Sequence, residues 1–241
     1  MTIYENEVKH SCHNHALKPV NRETPYRCNG CQEIGWGLRF RCEGCNYDLH
    51  KDCALTTDFK SDISLYNSYA FKFHRRSFVG TTCNACGNAI LGFVYNCSTY
   101  RVNLHPCCAN LPSVLQSEGV ELRLHKNVVS KCIRCGCRNL WGEEKGWSYQ
   151  SRCKNYHIHV SCMKDLVKKE VEEKWNRYFS GDESSSNLGV NVCDVVNCES
   201  GSMGLWRSRS WKIAAVVLNV VISIVLGNPL GVINFFTCIF S

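Results

Sequence analysis

Apolar and polar positions alternate in short runs as far as Cys162, and the period changes to a helical one only after it. Leu38-Arg39-Phe40-Arg41 alternates apolar with basic residues, the period of a half-exposed strand, and Tyr47 and Leu49 repeat that spacing ahead of His50. Trp147 and Tyr149 do the same ahead of Cys153. Gly35 and Gly37 flank Trp36, which predicts a tight turn carrying a hydrophobic lid. Met163, Val167, Val171, Trp175 and Tyr178 then recur at steps of four, four, four and three, with Lys168/Glu172, Lys169/Glu173 and Glu170/Lys174 on the other faces. That pattern predicts an amphipathic helix over 164–179, packed on what precedes it. Residues 180–204 are rich in Ser, Gly, Asn and acidic residues and predict a flexible linker, followed by a hydrophobic tail over 205–241.

The short strands are interrupted by cysteines in a fixed pattern. Cys28-Asn-Gly-Cys31, Cys42-Glu-Gly-Cys45 and His50-Lys-Asp-Cys53 supply six donors, and a two-residue gap lets a tight turn aim both sulfurs at one tetrahedral ion. Six donors overfill one zinc site, so at least two are implied. The unit recurs from Cys83 and, more loosely, from Cys132; His50, His105 and His159 are 55 and 54 residues apart. Such a period marks an array of similar small modules.

With 19 cysteines in 241 residues, each repeat is too short to bury a self-sufficient core, and metal takes over that role. A secreted disulfide scaffold is the competing reading. The odd cysteine count, the histidines paired with Cys-x-x-Cys and the absence of signal-peptide character in MTIYENEVKH all oppose it and point to a reducing compartment. Each zinc held by three thiolates and one histidine adds one net negative charge, so three such sites bring the formal +7 to about +4. Basic residues are scattered among acids, which is no nucleic-acid footprint.

The order His15-x12-Cys28-x2-Cys31, Cys42-x2-Cys45-x4-His50-x2-Cys53 resembles the diacylglycerol/phorbol-ester type zinc finger. The compact, His-led, repeated form is similar to the divergent C1 (DC1) domains, a Cys/His-rich plant family. The resemblance implies three small zinc-stabilised α+β modules over 10–60, 74–112 and 125–163, each with two small antiparallel sheets and a short helix. It also implies interleaved sites: Cys28, Cys31, His50 and Cys53 hold one Zn2+, and His15, Cys42 and Cys45 hold three corners of a second. The family's eighth donor falls where this chain has Ser61, so His10, Cys12 or His13 is expected to complete that site from the N-terminal side.

Repeat 2 keeps Cys83, Cys86, His105 and Cys108, and repeat 3 keeps Cys132, Cys135, His159 and Cys162. Their second sites are worn. His74 and Cys97 remain in repeat 2, where Tyr100 stands in for a thiol, and packing around Tyr95 and Tyr100 is expected instead, with Cys107 as a substitute donor. His125 and Cys153 remain in repeat 3, with Cys137 and His157 as substitutes. Cys12, Cys107, Cys137, Cys193, Cys198 and Cys238 are otherwise ordinary thiols.

Closed sets of three cysteines and one histidine leave no open coordination position, so the chain is read as a non-catalytic, zinc-binding interaction or adaptor module with protein partners. Its resemblance points to signalling or stress response. Two other classes share parts of the pattern: a PHD/RING-like ubiquitin ligase or chromatin reader, which the internal repeat opposes, and a diacylglycerol-responsive receptor, which the ten-residue gap from Cys31 to Cys42 opposes. No charged residue occurs from Ile213 to Ser241, and Arg207, Arg209 and Lys212 precede that run. Residues 213–240 are therefore expected to anchor the chain in an intracellular membrane, with the modules on the cytosolic face.

Overall fold

The computed structural model describes residues 7–117, 120–128, 130–138 and 146–180. The linker after Ser180 and the hydrophobic tail over 205–241 lie outside the described residues. Among the described residues no helix is long and apolar enough to cross a membrane.

Each repeat is one four-stranded antiparallel meander followed by a helix, rather than two small sheets. The first contains β1 (Val8–Lys9), β2 (Ala16–Arg27), β3 (Ile34–Cys42), β4 (Tyr47–Leu49) and α1 (Lys51–Ala54). The second contains β5 (Phe59–Lys60), β6 (Phe71–His74), β7 (Val94–Cys97), β8 (Val102–Leu104) and α2 (Pro106–Ala109). The third contains β9 (Val114–Ser117), β10 (Val120–His125), β11 (Ser148–Ser151), β12 (His157–His159) and α3 (Val160–Ser180). Phe59–Lys60, read from the sequence as the end of the first module, pairs with β6 and opens the second. The predicted amphipathic helix is α3, and Met163, Val167 and Val171 on it are buried.

The internal repeat extends to single hydrogen bonds. In every module the amide of the residue directly after the second cysteine closes the same knuckle: Gln32, Gly87 and Gly136 donate to the carbonyls of Cys28, Cys83 and Cys132 at 3.0, 2.7 and 2.9 Å. Those three donors all sit at positive φ, 67°, 71° and 69°, a conformation that glycine adopts freely and glutamine does not. The first cysteine's amide in turn bonds the carbonyls of Glu33, Asn88 and Cys137.

Two expectations about β3 need correction. Residues 34–37 are strand, not a turn, and Gly35 is required because a Cβ there would meet the His50 imidazole and the Tyr26 ring at 2.5 Å. Arg39, which simple alternation turns to solvent, is 4% exposed. β2 shifts register between Arg22 and Pro25, and the irregular stretch lends Arg39 the Arg22 and Thr24 carbonyls and the Thr24 hydroxyl, while Tyr26 lies under the guanidinium at 4.2 Å. A buried cation is tolerated when its donors are satisfied in this way.

The modules are not beads on a string. One core runs continuously through the second and third, from Ile63, Phe71, Val94 and Leu104 to Leu122, Trp147, Tyr149, Ile158 and the buried face of α3. Trp36 and Ile34 of the first module pack against that core, so Trp36 does not simply lid its own module. The Trp147 amide donates to the Ala85 carbonyl at 2.8 Å, between the cysteines of the second knuckle. On the other side, the Phe93 amide donates to the Gly30 carbonyl at 3.0 Å, and a Cβ on Gly92 would fall 1.9 Å from that oxygen. The first knuckle is thereby seated directly on the second module.

Candidate metal centres

Four tetrads of His and Cys side chains bring their donor atoms within 4.8 Å of one another: Cys28, Cys31, His50 and Cys53; Cys83, Cys86, His105 and Cys108; Cys132, Cys135, His159 and Cys162; and His13, His15, Cys42 and Cys45. The first three share one construction. Two thiols come from the knuckle, the histidine ends or follows the last strand, and the final cysteine comes from the first turn of the helix. The histidine presents Nδ1 each time, at 3.2 Å from Cys31, 3.5 Å from Cys86 and 3.4 Å from Cys135. Donors around one tetrahedral zinc at ordinary bond lengths lie roughly 3.5–3.8 Å apart, so these spacings fit one ion. Nε2 of His105 and of His159 is left to donate to the Ala89 and Arg138 carbonyls, each at 3.3 Å, which fixes the ring that faces the thiols.

In each of the first three tetrads the electrostatics favour one thiolate, at Cys28, Cys83 or Cys132, and push others up, at Cys31 and Cys53, at Cys108, and at Cys135 and Cys162. Hydrogen bonding from Cys162, against burial and with help from His159, holds Cys132 at about 3. Burial by itself raises the Cys83 thiol, yet hydrogen bonds from Cys108 and Cys86, together with the Lys164 charge, bring it well below the usual range. A deprotonated sulfur is the form that binds metal.

The fourth tetrad is built differently. His13 and His15 sit in the turn between β1 and β2, where β1 pairs Val8 with Leu17, and Cys42 and Cys45 flank the turn from β3 to β4. His15 Nδ1 is 3.0 Å from Cys45 and 3.8 Å from Cys42. The His13 ring stacks on Tyr47 at 4.3 Å, and its buried Nε2 has no hydrogen-bond partner among the described residues, which is the condition of a nitrogen waiting for a cation. His13 is therefore the residue that the structure brings to the open corner. His10 instead bonds the Thr56 hydroxyl at 3.0 Å and stacks on Phe93 at 5.4 Å, while burial lowers its pKa; it packs the first module on the second. Cys12 stays at the edge of the first core.

The worn half-sites do not assemble among the described residues. Cys97 is buried in the core and His74 lies against Phe78, while Tyr100 is half exposed and stacked on Tyr69 at 3.9 Å. Tyr95 fills the space with its ring and bonds the Thr57 backbone with its hydroxyl. Cys153 meets the Ser151 hydroxyl, His157 meets Ser130, Cys137 meets the Cys135 carbonyl, and His125 ends β10. Among the described residues, apolar and hydroxyl side chains surround what remains of the second donor set in both modules.

Sequence reasoning missed Glu33 and Lys164. Lys164, on the first turns of α3, places its ammonium 2.5 Å from the Glu33 carboxylate and 3.9 Å from both Cys86 and Cys108. Glu33 lies 3.7 Å from Nε2 of His105. Burial alone would lower the lysine, but the Cys108 and Cys86 sulfurs and Glu33 hold it well above its usual value. One residue from each outer module thus meets over the central site, and the ammonium stands between the Glu33 carboxylate and two sulfurs of the second tetrad.

A family model for the C1 domain matches residues 11–54. The first module is similar to a C1 domain. The second and third modules repeat the first module's donor order, meander and knuckle hydrogen bonds. The probable nucleoredoxin 1 of Arabidopsis thaliana is 34% identical over 59 residues, which cover 24% of this chain and 10% of that protein. The match thus spans about a tenth of that relative's length. No solved structure matches the chain.

Proposed function

We propose that the chain is a zinc-built binding scaffold, an adaptor whose C1-like module and its two relatives present surface loops to a protein partner. The observation that carries this is the closure of the sites. The four donors of the first and second tetrads are all buried, and the third exposes only Cys135, so the ions would shape the fold rather than meet substrate. Zinc is the ion best suited to sets of three thiolates and one imidazole, and to the pair of each in the fourth.

The contact surface is the tip of the second module. Ser77 donates to the Ile90 carbonyl, and Thr82 bridges Ala89, which holds two loops together and leaves Phe78, Val79 and Leu91 at 58%, 107% and 71% exposure beside exposed Arg75 and Arg76. The same mixture of apolar and basic groups favours a lipid surface as the second reading. The charge-free run over 213–240 supports a membrane anchor that keeps the modules cytosolic, in a signalling or stress-response setting.

Proximity labelling in expressing cells tests this, with Phe78→Asp/Leu91→Asp as the variant, because both side chains are exposed and their exchange removes nothing from the buried core. The variant is expected to lose at least about tenfold of the protein labelling, the effect of roughly 1.4 kcal/mol or more at apolar anchors. A chain ending at Arg209 should keep the tip-dependent partners and lose membrane proteins. Unchanged labelling in the tip variant would reject the surface. If the chain ending at Arg209 sediments with anionic liposomes through the same two residues, while protein labelling is unaffected, the lipid reading replaces it.

A further inference from the structure

Cys107 belongs to the second module by sequence and to the first by position. α2 packs against α1, and this carries the Cys107 sulfur to 3.9 Å from Nδ1 of His50, the ring atom that faces Cys31 at 3.2 Å. It also lies within 4.8 Å of the Cys31 sulfur and of a Glu33 oxygen. The side chain is 7% exposed and belongs to the first module's core. Glu33 is claimed by Lys164, which leaves the thiol as the unassigned donor. A spacing of 3.9 Å to an imidazole nitrogen is close to what two ligands of one tetrahedral zinc require. The neighbouring Cys108 serves the second tetrad, so adjacent residues of one short helix face two different metal centres.

We propose that Cys107 is a reserve donor for the first module's metal, supplied across the interface by the second module. The proposal rests on the zinc reading above. While His50 is bound, the four-coordinate ion is complete and Cys107 stands against it as an outer thiol. When one of the facing donors is removed, Cys107 closes the tetrahedron and the ion fastens the two modules together. Substituting it for His50 gives a site of four cysteines; substituting it for Cys31 restores three cysteines and the histidine.

The test uses the full chain, native mass spectrometry for the zinc count, and the cobalt(II) absorption spectrum for the donor set. The wild type and Cys107→Ser should each hold four ions. His50→Ala should also hold four, with stronger thiolate-to-cobalt charge transfer, and His50→Ala/Cys107→Ser should hold fewer than four. Cys31→Ala against Cys31→Ala/Cys107→Ser repeats the comparison with a thiolate donor, so misfolding of one variant leaves the proposal exposed to the other. If His50→Ala and Cys31→Ala each lose an ion as their double variants do, or if the double variants still hold four, the reserve role is wrong. A wild-type count below four would instead strike at the zinc reading on which it rests.

Discussion

Cys108→Ser is expected to unfold all three modules together. Losing a thiolate from the second tetrad forfeits much of a binding energy that runs to about 10–16 kcal/mol for structural zinc, against a net stability of about 5–15 kcal/mol for an ordinary domain. In an array of independent modules the damage would stop at the second. Here Cys108 lies in the core shared with Trp147, Tyr149 and α3, and its neighbour Cys107 lies in the core of the first module. Hydrogen exchange should therefore show protection lost at Phe40 and Leu49 as well as at Tyr149 and Ile158. Retained protection in the first module, with exchange confined to residues 59–111, would show that the modules fold separately.

Lys164→Met is expected to cost about 3–5 kcal/mol, the range for breaking a buried ion pair by removing one partner. The Lys164 and Glu33 side chains are only 12% and 23% exposed, so water replaces little of the lost interaction. The variant leaves Glu33 facing the thiolates of Cys86 and Cys108 with no cation between them. Adding Glu33→Gln should recover part of the loss, because the stranded carboxylate is then neutral. Denaturant titration of the zinc-loaded single and double variants checks this; a loss below about 1 kcal/mol, the level of a surface pair, would show that the junction is not a buried charge cluster.

The metal-binding residues were the most legible part of this chain because ligand spacing is a local property. A two-residue gap and a histidine three before a cysteine survive in all three repeats, and the structure gathers the three corresponding sets. The closing residue of the fourth tetrad was not legible. His10, Cys12 and His13 are equally near in sequence, and the choice depends on how β1 pairs with β2 and on the stacking of His13 over Tyr47. Arg39 was misread because alternation assumes an even strand, whereas the irregularity between Arg22 and Pro25 supplies carbonyls to a side chain that would otherwise point to water.

The junctions between modules left no periodic trace. Gly92 against Gly30, Glu33 against Lys164 and Cys107 against His50 are separated by 62, 131 and 57 residues, and each looks ordinary in its own sequence context. Only packing reveals why Gly92 has no side chain, or why a lysine opens α3 on the side of two metal-facing sulfurs. Lengths and partners of the strands were legible in part for the same reason: the alternating runs near Leu38, Tyr47 and Trp147 located strands, while β1 and β5, of two residues each, are too short to carry a pattern.

The number of zinc ions held by the freshly purified, reduced protein tests the central claim most directly. Native mass spectrometry of the full chain should find four, one for each tetrad, with the ion at His13, His15, Cys42 and Cys45 the first to leave on mild chelation because two of its donors are exposed. A count of one or none would contradict the scaffold as a whole, and a count of three that does not change in His13→Ala would contradict the fourth centre.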